Sequence, residues 1–185
     1  QITLRYRLKG LQVLATEKPF IVDGREYPAG SMVVPNNGQD SIAARLSESI
    51  KSLGLEATGL KVLPNVATHE VDLPRLAVFS TWGNTQEVGW VRHALDKFEV
   101  AYDLIYKERV REGNLRATYD LILIPNQGRG GKGLVFDIEP RARPLAYTRT
   151  EQFKTHGEYG SSTDITGGMG LPGVLELETF VREGG

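Results

Sequence analysis

Three short apolar blocks limit this chain's fold most tightly: "LAVFST" (76–81), "YDLIYK" (102–107) and "DLILIP" (120–125). "LAVFST" is apolar on consecutive positions, which marks a strand buried on both faces and therefore a parallel sheet. Parallel neighbours need a crossover, and a helical period fills the first gap, with Val88, Val91, Leu95 and Phe98 on one face. "PLAYT", near residue 146, reads as a fourth strand. Pro172 to Glu183 reads as a terminal helix with Val174, Leu177, Phe180 and Val181 inward. Two β-α-β passages predict an α/β fold with three layers, a parallel sheet carrying helices on both faces.

Upstream of Pro74 the pattern differs. "ITLRYRL" (2–8) alternates as a strand does, and Leu11, Val13 and Ala15, then Phe20 and Val22, continue the alternation. Asp23-Gly24 suits a hairpin turn, because both residues accept positive φ. Pro28-Ala29-Gly30 makes a second turn before the short strand "SMVVP". Asp40 or Ser41 then caps a helix with Ile42, Leu46, Ile50 and Leu53 on one face, closed by Gly54. Glu56 to Pro74 has no dominant period, and "HEVDLPR" reads as a linker. The expected division is a β-rich module with one helix over 1–74 and an α/β domain over 75–185. A strand-like start at the second residue and a closing helix with no following strand suggest a fragment of a longer protein, with the α/β domain cut at its C-terminus.

Charge and composition narrow the function. Lys and Arg number 22 against 23 Asp and Glu, a net charge of -1, so no global attraction to nucleic acid or anionic membrane is expected. No stretch approaches the roughly 18 apolar residues of a membrane span. The chain contains no cysteine, which excludes disulfides, thiolate metal ligands and a cysteine nucleophile among its residues, and leaves the compartment open. His69, His93 and His156 are far apart, and none belongs to an H-E-x-x-H or H-x-x-E pair.

Two loops carry the candidate site. "STWGNT" (80–85) follows a strand and opens a helix, with Ser80, Trp82, Gly83 and Asn84 as candidate ligand-binding residues. Backbone N–H groups at such a junction favour an anion. Flavodoxins hold the FMN phosphate on a similar Ser/Thr-rich loop around Gly-Asn-Thr, although Trp82 replaces a small hydroxyl residue there. A tight turn and a contact to a non-phosphate ligand are the other readings. Asn84 and Glu87 also match a capping box, so Asn84→Ala is expected to cost about 1 kcal/mol. "NQGRGGKG" (126–133) follows the third strand and offers Asn126, Gln127, Arg129 and Lys132. It is no P-loop, because Gly133 follows Lys132, and no helical pattern follows at once as the dinucleotide fingerprint requires. Strand order is expected to bring both loops to one crevice, with Trp82 as an apolar wall and Arg129 or Lys132 as cations, suited to a small carboxylate or phosphate-bearing ligand. "SSTDITGGMG" (161–170) adds Asp164 and Thr166, and Tyr159 precedes it, either lining a pocket or forming turns. Partial disorder is expected from Arg149 to Gly170. Ser80 as a hydrolase nucleophile lacks the G-x-S-x-G setting.

The stretch "PRLAVFSTWGNTQEVGWVRHALDKFEVAYDLIYKERVREGNLRATYDLILIPNQG", with "GGMGLPGVLELETFVREGG", resembles the C-terminal part of bacterial proteins of the M14 zinc-carboxypeptidase family. There a class I glutamine-amidotransferase-like (GATase1-like, flavodoxin-like) domain lies downstream of the peptidase, and "FIVDGREYPAGSMVVP" resembles the β-rich connector. The resemblance implies a covalently linked peptidase domain holding zinc through two histidines and a glutamate. None of those motifs occurs in this chain, so no zinc or other cofactor is expected on its residues. It also implies a fold that normally places a cysteine at a strand-to-helix elbow, and glutamine hydrolysis needs that thiolate. The expectation is a non-catalytic accessory domain acting as scaffold, docking surface or ligand sensor. A flavodoxin-like FMN-binding redox module is the alternative.

Overall fold

The computed structural model describes residues 1–38 and 42–185, so the cap expected at Asp40 or Ser41 lies outside the described residues. The chain divides into two units, Gln1–Leu73 with Phe98–Val100, and Pro74–Lys97 with Ala101–Gly185.

The first unit opens with a helix, α1 (Ile2–Arg7), where alternation predicted a strand. Leu4 and Leu8, four apart, fit a helical face and an alternating one alike, whereas Leu11, three further on, fits only the helical spacing. All three are buried with Val13 and Ile42, while Ile2 is exposed. The strands β1 (Leu14–Thr16), β2 (Phe20–Val22), β3 (Arg25–Tyr27) and β4 (Met32–Val33) follow. Asp23 and Gly24 both take positive φ, 50° and 76°, in the β2–β3 turn, as the sequence requires. After α2 (Ile42–Leu53), Gly54 takes φ 63°. The strand β5 (Thr68–Glu70) then joins β1, giving an antiparallel sheet in the order β4-β1-β5. His69 and Glu70, read as linker, pair instead with Ala15 and Leu14. All three β5 residues are exposed, so the strand leaves no apolar trace in the sequence.

The second unit is mixed α/β around a small parallel sheet. Its elements are β6 (Leu76–Phe79), α3 (Gln86–Lys97), β7 (Asp103–Ile105), α4 (Lys107–Arg111), α5 (Leu115–Thr118), β8 (Leu121–Leu123), α6 (Gly131–Phe136) and α7 (Gly170–Arg182). The strand order is β7-β6-β8, with Val78 opposite Leu104 on one side and Leu123 on the other. Ala77 and Phe79 of central β6 pack with Val110, Leu115, Tyr119, Met169 and Phe180. Val78, pointing to the opposite face, is fully buried.

Four expectations change here. "PLAYT" forms no strand among the described residues; Tyr147 makes one antiparallel bridge to Ser162. Phe98 lies beyond the end of α3 and is exposed. On α7, Phe180 is buried and Leu177 packs beside it, as expected, while Val174 and Val181 are exposed; the inward face runs through Gly173, Leu177 and Phe180, spaced by four and three, and Val174 and Val181 lie beside it. A helix, α6, does follow the glycine-rich loop directly; Gly131 and Gly133 lie inside it and conceal its apolar period.

Candidate functional site

The chain leaves central β6 toward β7 and returns across it to β8, so strand order reverses between β6 and β8. In open parallel sheets a crevice opens at such a point beyond the strand carboxyl ends. The two loops predicted to meet do so. Thr81 Oγ1 lies 3.0 Å from Gln127 Oε1 and 3.0 Å from the Asn84 carbonyl, and accepts the Asn84 N–H at 3.3 Å. Its single proton serves one acceptor at a time. Gln127 Nε2 donates to the Pro125 carbonyl at 3.3 Å, which fixes a side chain that is 6% exposed.

A cleft of about 600 Å³ lies over this junction, lined in part by Gly83, Asn84, Gln127, Arg129, Asp137 and Glu139. Ser80, Trp82, Asn126 and Lys132 are not among its lining residues. Ser80 is buried beneath the turn with its N–H on the Ile105 carbonyl at 2.8 Å. Asn126 and Lys132 are exposed. Trp82, the expected crevice wall, turns toward β7 instead: its ring stacks on Tyr106 at 4.1 Å and tilts against Tyr147 at 5.5 Å. Aromatic faces gain more there than beside polar Asn84 and Gln127.

Asp137, which no sequence pattern marks, dominates the site. The Trp82 N–H donates to Asp137 Oδ2 at 2.7 Å and the Gly83 N–H donates to Oδ1 at 3.0 Å. The amides expected to cradle an anion thus hold the chain's own carboxylate. Burial raises the pKa of Asp137, against the opposing pull of the two N–H groups and of Lys107 and Arg129. Asp137 itself has φ 45°, in the left-handed region that non-glycine residues seldom enter.

Lys107, the first residue of α4, is the second residue that sequence reasoning missed. Its side chain is 6% exposed, and Nζ donates to the Asp164 carbonyl at 2.7 Å and to the Thr166 carbonyl. Burial lowers its pKa. Neighbouring Glu108 accepts the Ser162 hydroxyl at 2.6 Å and the Trp82 Nε1–H at 3.4 Å. A cation closing a strand block, followed by an acid, was the available signal in "YKERV". Asp164 behaves as a turn residue: Oδ1 accepts the Leu145 N–H, the Thr166 N–H and the Thr166 hydroxyl, which lowers its pKa. Tyr159 is exposed, with the Arg92 guanidinium 4.7 Å from its ring centre. In the 149–170 segment His156 stacks between Tyr147 and Phe153.

Compared with known protein families, curated proteins and solved structures, the chain matches none. Among the described residues, no group of three or more His, Asp or Glu is placed to hold a metal ion. No described helix is long and apolar enough to cross a membrane.

Proposed function

We propose that the chain is a non-catalytic accessory module on a flavodoxin-like, class I amidotransferase-like plan, linked to an M14-type zinc carboxypeptidase. It acts there as scaffold, docking surface or ligand sensor, and zinc belongs to the peptidase domain. The placement of the first strand of the α/β unit at the sheet centre supports the plan. The observation that carries the non-catalytic reading is the state of the crevice. Its turn amides are occupied by Asp137, the Thr81 hydroxyl is tied to Asn84 and Gln127, and the chain has no cysteine to act as nucleophile.

Two measurements test the reading. The coding sequence upstream of Gln1 is expected to contain an H-x-x-E motif and a later histidine; an upstream region without them ends the peptidase attachment. Incubation with glutamine is expected to release no ammonia above the buffer rate, and steady release would overturn the non-catalytic assignment. The Asp137 contact also speaks against FMN, because the amides a phosphate needs are taken. Purified protein is expected to be colourless and to leave FMN fluorescence unquenched.

A further inference from the structure

We propose that Asp137 is a tethered occupant of a carboxylate site, and that a small organic carboxylate binds this cleft by taking its place. The geometry is that of a fork. Two successive amides, Trp82 and Gly83, each meet a different oxygen of one carboxyl group, at 2.7 Å and 3.0 Å. That spacing matches the two oxygens of a planar carboxylate. A tetrahedral phosphate would present a third oxygen, and the proton of the neighbouring Thr81 hydroxyl is already engaged between the Asn84 carbonyl and Gln127 Oε1.

The turn is also shaped for this approach. A Cβ at position 83 would lie 2.6 Å from Asp137 Oδ1 and 3.1 Å from Ile138 Cγ1, so only glycine admits a carboxylate this close. Asp137 reaches the fork from a left-handed backbone conformation, and its burial opposes its charge, so the internal occupant holds its place at some cost. Arg129 lines the same cleft. Among the described residues its guanidinium reaches only the Asp137 backbone carbonyl, at 3.5 Å, which leaves most of its donors for an incoming anion. The cleft, at about 600 Å³, is within the range of small-molecule sites. Because Asp137 is attached to the chain, it competes at a high effective concentration and weakens any external carboxylate in proportion.

This inference rests on the cleft alone and stands or falls independently of the link to a peptidase. The test is a titration of the whole chain with acetate, N-acetylglycine and inorganic phosphate, read on the Trp82 and Gly83 amide resonances in ¹⁵N–¹H spectra. In Asp137→Asn and Asp137→Ala the two carboxylates are expected to shift both amides saturably, at concentrations about tenfold or more below those needed for wild type. Phosphate is expected to bind less well, and adding Arg129→Ala to Asp137→Asn is expected to weaken the carboxylate response. Asp137→Asn keeps an acceptor oxygen and decides the matter if Asp137→Ala does not fold. Wild type supplies its own arm: molar acetate should move these two amides and leave those of β6 in place. Unmoved amides in wild type or in a folded variant, equal affinity in variant and wild type, or a preference for phosphate would each overturn the proposal.

Discussion

Asp137 and Asp164 are two aspartates of one unit whose carboxyl groups are shifted in opposite directions, and the sign of each shift has a pH signature. Hydrogen bonds from Thr166 and Leu145 lower the pKa of Asp164, so its contribution to stability is present above the unfolded value of about 3.9 and is lost as pH falls through the lower folded value. Burial raises the pKa of Asp137, so its contribution is present below about 3.9 and is lost as pH rises through the higher folded value. Urea midpoints measured from pH 3 to 7 should therefore show Asp164→Asn losing part of the acid-side slope of wild type. Asp137→Asn should improve relative to wild type as pH rises over the same range. Lys107 gives a separate test. Lys107→Met leaves the Asp164 and Thr166 carbonyls without their donor and should lower stability by about 1–3 kcal/mol in urea unfolding. The loops around Gly83 and Gln127 were legible because strand ends and glycines announce them. Asp137 was not, because it meets Trp82 from 55 residues away and nothing local distinguishes it.

At the scale of the element, the start of α3 shows how a correct helix can carry a wrong cap. The Asn84 and Glu87 pattern predicts a cap at Asn84, yet the helix runs from Gln86 and the Gly89 N–H bonds the Thr85 carbonyl. Among the described residues, no hydrogen bond joins the Asn84 side chain to this helix. The side-chain bonds to the Asn84 backbone come from Thr81 Oγ1. Asn84→Ala should therefore shift stability by no more than about 0.5 kcal/mol, whereas Thr81→Val should cost about 1–2 kcal/mol, both read from urea midpoints. A larger loss at Asn84 than at Thr81 would reverse this account. Strands with a buried face were legible from their apolar runs, and α2 from its 3.6-residue period. The β5 strand and α6 were hidden, one by full exposure and the other by its glycines. The α1 segment was ambiguous because Leu4 and Leu8 satisfy both periods.

For the whole molecule, the expected boundary near Pro74 compares with a division in which Phe98–Val100 belong to the first unit. Arg7 Nε donates to Glu99 Oε2 at 2.8 Å, so a polypeptide ending at Leu73 lacks a partner that the first unit uses in the intact chain. Isolated 1–73 should unfold at a lower urea concentration than the same unit does in the full chain. Equal midpoints would show that the three residues add nothing. A sequence boundary placed by composition has no means of finding such a return, since it depends on a contact between segments 92 residues apart. The stacking of Trp82 on Tyr106 has an optical consequence. The chain has two tryptophans, and Trp90 is 64% exposed. In Trp90→Phe the remaining indole emission comes from a ring whose own backbone N–H grips Asp137. Its wavelength and quenching become an intrinsic fluorescent gauge of that turn, readable without any label.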